Sequence, residues 1–150
     1  MHFLTKSAFL LFFIANLVGC DSQPENLNRQ SRIVDKTLCQ FSQGKCEQNV
    51  HGMEISLLIN PVFTPSEKPL DIALNFSKPV KNVQVRIEGR DMFMGIIPVK
   101  LSTTDYKAYT GNAIYGSCSS DYMVWRTMIS FTQDDATKTV WFDFLADNHV

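Results

Sequence analysis

Between residues 51 and 145, apolar residues recur at every second position in short runs. Ile72, Leu74 and Phe76 share one face, as do Val83, Val85 and Ile87, and as do Val140, Phe142 and Phe144. A two-residue period is the mark of a strand with one face buried, and no part of the chain after the N-terminal segment repeats apolar residues at helical spacing for more than two turns. The predicted strands are 51–60, 70–76, 82–88, 93–101, 107–114, 122–131 and 139–145. Their separators (61–69, 77–79, 89–91, 102–105, 116–121 and 133–137) have turn or loop character. About seven short strands in roughly 110 residues predict an all-β fold, an antiparallel immunoglobulin-like β-sandwich, with a small barrel as the alternative.

The N-terminus follows a different pattern. Lys6 is the only charge ahead of an apolar run over residues 8–18 (AFLLFFIANLV), and the run ends at Gly19-Cys20. A basic start, an apolar segment too short for a stable span and small residues before a cut site predict a signal peptide. Leu17-Val18-Gly19-Cys20 resembles a lipobox, which would make Cys20 the acylated first residue of the mature chain. The predicted organisation is a lipoprotein signal peptide at 1–19, an acylated N-terminus and flexible polar tether at 20–36, and one domain at 37–150, a length that suits a single core. Asp21 resembles the residue that retains lipoproteins in the inner membrane of enteric bacteria. The expected location is therefore the periplasmic face of the inner membrane, with the outer membrane as the alternative. Removing Lys6 from 14 basic and 15 acidic residues leaves a formal charge of −2 without a block of like charge, which argues against nucleic acid and against a polybasic lipid patch.

With Cys20 acylated, three cysteines remain. Cys39 and Cys46 flank Gly44 in a segment of low hydrophobicity, and an oxidising compartment predicts a disulfide between them. A pairing of Cys118 with either of them is the alternative. The spacing fits neither a tetrahedral zinc motif nor a C-x-x-C thiol oxidoreductase.

Cys118 then stands apart, with Met123 five residues on and Trp125 just beyond. Met92 and Met94 are two apart, so an extended 91–95 segment would project both thioethers from one face, about 6–7 Å apart. Met92, Met94, Cys118 and Met123 thus form a candidate soft-donor set. Thioether and thiolate ligands select Cu(I) over zinc, magnesium or calcium, and the indole of Trp125 could shield the ion. The alternative is packing, because methionine is a common core filler and Met123, Trp125 and Thr127 fit the inward face of one strand. The histidines add nothing to the set: His2 lies in the signal, His51 sits alone, and His149 is next to the C-terminus. A blue-copper site is therefore not supported.

The run Gly89-Arg-Asp-Met-Phe-Met-Gly95, then Pro98-Val-Lys-Leu101, Tyr109-Thr-Gly111, Cys118 and Met123-Val-Trp125 resembles a family of uncharacterised proteobacterial lipoproteins. Their shared pattern is M-x-M-G, a strand ending in leucine, Y-x-G, a single cysteine and M-x-W, and the Cys39 to Cys46 segment resembles their N-terminal part. The family is similar to small periplasmic copper-chaperone sandwich domains and is associated with copper delivery and cytochrome oxidase assembly. The resemblance implies Met92, Met94, Cys118 and Met123 as Cu(I) ligands, with Trp125 beside them. It also implies a periplasmic copper-delivery protein or an oxidase subunit as partner.

Enzymatic motifs are lacking. There is no G-x-S-x-G, H-E-x-x-H, Walker glycine loop or dinucleotide fingerprint. Asp134-Asp135 reads as a solvated turn rather than an acid–base pair. Cys118 has serines, a glycine and Asp121 nearby, with no base to activate it as a nucleophile. The expected protein is a membrane-anchored, non-enzymatic lipoprotein that binds or relays Cu(I). The alternative is a structural or interaction lipoprotein that binds another envelope protein without metal.

Overall fold

The period-two segments form strands in the computed structural model, which describes residues 35–119 and 122–148. The predicted signal peptide, Cys20 and the tether up to residue 34 lie outside the described residues, as do Asp121 and His149. The strands are β1 (Cys46–Val50), β2 (Met53–Asn60), β3 (Leu70–Phe76), β4 (Lys81–Gly89), β5 (Ile96–Thr103), β6 (Ala108–Ala113), β7 (Val124–Gln133) and β8 (Ala136–Leu145). The described residues belong to one compact unit.

All pairings among these strands are antiparallel, and hydrogen bonding runs in the order β1-β2-β3-β6-β5-β4-β7-β8. The run divides into two sheets because β5 serves both. Its first half pairs with β4 (Glu88 with Ile96, Val85 with Val99), and its second half pairs with β6 (Lys100 with Asn112, Thr103 with Tyr109). The connections from β3 to β4 and from β6 to β7 cross between sheets, so β2-β3-β6-β5 faces β4-β7-β8 in the strand order of an immunoglobulin-like sandwich.

Two residues permit the switch. Pro98 has no N–H to donate, but in this half β5 has a neighbour only on the β4 side. At Gly111, a Cβ would stand 2.6 Å from the Lys100 carbonyl oxygen and 2.9 Å from Val99 Cγ1, where β5 changes sheets. Only glycine lets the two backbones approach so closely.

The inward residues of both sheets make the core. On β3, Leu70, Ile72, Leu74 and Phe76 are buried while Asp71 and Asn75 are exposed, as the alternation dictates. Phe76 bridges the layers edge-on to Phe131 of β7, at 5.1 Å between ring centroids. Pairs of this geometry contribute about 0.5–1.5 kcal/mol beyond burial.

The N-terminal stretch closes the remaining open side. Cys39 donates its N–H to the Asp143 carbonyl at 2.7 Å, beside Phe144 of β8, and its disulfide to Cys46 ties β8 to the start of β1. Gln48 of β1 adds a side-chain hydrogen bond to the Trp141 carbonyl at 2.6 Å. The Cys39–Cys46 pairing expected from the sequence is the one observed, and Cys118 is the free cysteine of the described residues. By chain entropy such a short loop stabilises the fold by about 2–3 kcal/mol.

β1 is an eighth strand beyond the predicted seven. Its sequence, CEQNV, shows no alternation because an edge strand with both faces partly open has no reason to alternate.

The two ends of the sandwich differ. One end carries tight turns, His51-Gly52 between β1 and β2 and Asp134-Asp135 between β7 and β8, with positive φ at both residues of each. This is the turn whose twist matches the flanking strands. The other end carries the longer connections 61–69 and 90–95, the one bearing Cys118, and the chain on either side of the folded body, from Asp35 and past Leu145.

Candidate metal centre

The three sulfur-bearing segments meet at this second end. Arg90 continues off β4 by donating its N–H to the Val124 carbonyl at 2.9 Å, and the chain then turns back through residues 91–95. The segment is a loop, not the extended strand that would have put Met92 and Met94 on one face. Gly89 and Gly95 bracket it, and Gly95 has φ +86°, a conformation that L side chains rarely adopt. β5 therefore starts at Ile96 rather than at residue 93.

Gly89 sets the geometry. A Cβ here would overlap the Met92 carbonyl oxygen and stand 2.8 Å from Met123 Cε. Glycine thus lets the loop fold back over the end of β4, and the Met123 methyl fills the space a side chain would take. The sequence marked Gly89 as a turn signal only; its role as a support became visible once β4 and β7 were paired, with Gly89 opposite Trp125.

Cys118 is held from the other side. Tyr115 donates its hydroxyl to the Thr64 carbonyl and accepts the Glu67 N–H at its own carbonyl at 2.8 Å, and the Ser117 hydroxyl donates to Glu67 Oε1 at 2.7 Å. The Cys118 segment is thereby pinned to the 61–69 connection. Burial pushes the Tyr115 phenol above its ordinary pKa, so it remains a neutral donor.

The result is a sulfur pair. Cys118 Sγ lies 4.0 Å from Met92 Sδ, with Met92 49% exposed and Cys118 half-buried. The thiol donates a weak hydrogen bond to the thioether at this distance, and two sulfurs that share one ion at about 2.3 Å each would stand at a similar spacing, roughly 4 Å. Met123 is buried at 7% beneath the loop, and Met94 is half-buried against the core. Met53 and Met128 lie elsewhere: Met53 is fully buried with the Ser77 hydroxyl 3.4 Å from its sulfur, and Met128 sits mid-strand on β7.

Trp125 is 1% exposed and packs on Tyr115 with centroids 4.6 Å apart. It belongs to the inward face of β7 with Thr127, Ile129 and Phe131. Among the described residues, no group of three His, Cys, Asp or Glu could hold a metal, and His51 is at the opposite end. The sulfur donors at this end stand beside carboxylates that are held in ion pairs and hydrogen bonds.

A charged cluster underlies the loop. Arg126 makes a two-point pair with Asp143 at 2.7 and 2.8 Å, and Arg90 pairs with Asp91 at 2.9 Å while standing 3.8 Å from Asp35. Hydrogen bonds from Thr37 hold the Asp35 carboxyl below its ordinary pKa, and the Arg90 guanidinium does the same for Asp91.

No family model and no curated protein matches this chain. Among solved structures, the GAE domain of GGA2p from Saccharomyces cerevisiae is similar over 69% of this chain and 98% of that one, with 13% identity and a TM-score of 0.38.

Proposed function

We propose that the protein is a lipid-anchored periplasmic lipoprotein that binds or relays Cu(I) at the sulfur-bearing end of its sandwich. The observation that carries this reading is the Cys118–Met92 sulfur pair at 4.0 Å on a partly exposed edge. A thiolate and a thioether at that spacing form a two-sulfur site that prefers Cu(I). Met123 lies directly under the same loop, with its Cε against Gly89, and Met94 is two residues from Met92, which makes these two the candidates for a third donor. Half-exposure of Met92 suits relay, since an incoming donor can bind the ion before the resident ones release it. The resemblance of M-x-M-G, a lone cysteine and M-x-W to a family of uncharacterised proteobacterial lipoproteins associated with copper delivery extends the reading to metallation of a respiratory oxidase. The lipobox at Cys20 and Asp21 favour the periplasmic face of the inner membrane over the outer membrane.

The test is Cu(I) competition against a chromophoric chelator, under reducing conditions, with the soluble fragment from Gln23 to Val150. Stoichiometric binding that Cys118→Ser and a Met92→Leu/Met94→Leu double variant each weaken is the expected result. Equal binding by all three proteins would mean that these sulfurs pack rather than ligate.

One observation favours a second reading, an interaction lipoprotein without metal: Met123 is buried and Met94 packs on the core, as space-filling methionines do. That reading expects no stoichiometric Cu(I) and a protein partner at the exposed end.

A further inference from the structure

Nine large apolar side chains are exposed among the described residues, and all but Tyr106 and Trp141 sit on the connections or strand ends of the sulfur-bearing end. Phe93 is the extreme case at 83%, at the tip of the loop that carries Met92. Ile96 at 58%, Ile114 at 56% and Val62 at 38% come from three other parts of the same end. An aromatic and several aliphatic residues on the loops and strand ends of one end of the sandwich, on a chain with little excess charge, form a surface suited to shallow insertion at a lipid interface.

The course of the chain identifies the occupant. The described residues begin at Asp35, whose carboxylate is 3.8 Å from the Arg90 guanidinium, and Arg90 is the residue before the 91–95 loop. The first described residue and the exposed apolar side chains are thus on one end of the sandwich. Asp35 lies 15 positions after Cys20, a stretch that spans at most roughly 50 Å when fully extended. A body held so close to a bilayer meets it at a high effective concentration, so a few apolar tips suffice to fix its orientation.

We propose that the sulfur-bearing end of the sandwich rests on the lipid surface to which Cys20 tethers the chain, with Phe93 at the point of insertion. The proposal rests on the lipid-anchored reading above. Arg90 is engaged with Asp91 and Arg126 with Asp143, which leaves the exposed Lys36 and Lys68 as the cations at this end, so the contact is mainly apolar. It also narrows the exchange partner for Cu(I): the acceptor presents its site at the bilayer face rather than out in the periplasm.

The experiment uses the full lipidated chain in vesicles of phosphatidylethanolamine and phosphatidylglycerol that carry a nitroxide-labelled lipid. In a Cys118→Ser background the disulfide and the acylated Cys20 leave no free thiol, so Phe93→Cys, Ile114→Cys and Tyr106→Cys each accept one fluorophore. Lipid quenching several-fold stronger at positions 93 and 114 than at 106 is expected. Equal quenching on chains that float with the vesicles overturns the proposal and leaves the anchor standing. Chains that neither float nor carry acyl mass at Cys20 overturn both. Shielding of position 93 only after envelope proteins are added assigns this end to a protein partner and also overturns it.

Discussion

The two ends of this sandwich are built from the same strands and carry different side chains. At the turn end, two-residue reversals at His51-Gly52 and Asp134-Asp135 and an Asp105 carboxylate bonded to the N–H groups of Lys107 and Ala108 satisfy part of the backbone locally, and the Val80 N–H on the Tyr106 carbonyl joins two connections. The sulfur-bearing end depends on contacts between connections: Tyr115 on Thr64, Ser117 on Glu67, Arg90 on Val124. Left-handed non-glycine residues occur at both ends, His51, Asn82, Tyr106, Asp134 and Asp135 at the turn end and Thr64, Glu67 and Asp147 at the other. What sets the second end apart is a thiol and a thioether side by side and a set of exposed apolar side chains.

The largest expected effect bears on what both ends share. Replacing both Cys39 and Cys46 by alanine should lower unfolding free energy by about 2–3 kcal/mol in denaturant titrations, because the bridge joins β8 to β1 across the side both ends depend on. A change well below 1 kcal/mol would show that Gln48 and the Cys39 backbone bond close that side unaided.

Glycine substitutions sharpen the contrast. Gly89→Ala should cost about 1–3 kcal/mol by overpacking against the Met92 carbonyl and Met123 Cε, and should also weaken Cu(I) binding. Gly52→Ala meets nothing within 4 Å and should cost about 1–2 kcal/mol through its positive φ alone, with Cu(I) binding unchanged. Equal effects on metal affinity would break the distinction between the ends.

Met92→Leu keeps volume at a half-exposed site, so stability should move by less than about 0.5 kcal/mol while Cu(I) affinity falls. Tyr106→Ser at the turn end should leave affinity unchanged.

Acid is expected to have the smallest effect. The carboxyls of Asp35, Asp91 and Asp105 all have depressed pKa values in the folded state, through Thr37, Arg90 and the Lys107 and Ala108 amides respectively. Depressed carboxyls stabilise the fold above their unfolded pKa near 4, and that contribution is lost as pH falls through the lower folded values. Thermal melts should therefore be flat from pH 7 to about pH 5 and decline below about pH 4, modestly because Asp91 and Asp105 are solvent-exposed and Asp35 is only partly buried.

Most of the architecture was legible from alternation. β3, β4 and β8 emerge with the inward faces read from Ile72, Val85 and Phe142, and Asp134-Asp135 is the turn it was read as. β1 was hidden because its five residues bury neither face, and the late start of β5 because Met92-Phe93-Met94 has a strand-like composition but is bracketed by two glycines. The sulfur residues could be named from the sequence, but their juxtaposition could not. It depends on Gly89 standing opposite Trp125 and on Glu67 reaching Ser117, contacts between segments far apart in the chain.

The central claim is that the sulfurs of one end take up Cu(I). The most direct measurement is X-ray absorption at the copper edge on the Cu(I)-loaded soluble fragment and on its Cys118→Ser variant. A shell of sulfur neighbours at about 2.3 Å, diminished in the variant, is the expected result. A nitrogen or oxygen shell unchanged by the substitution would contradict it, and would leave the sulfur-bearing end as a docking surface alone.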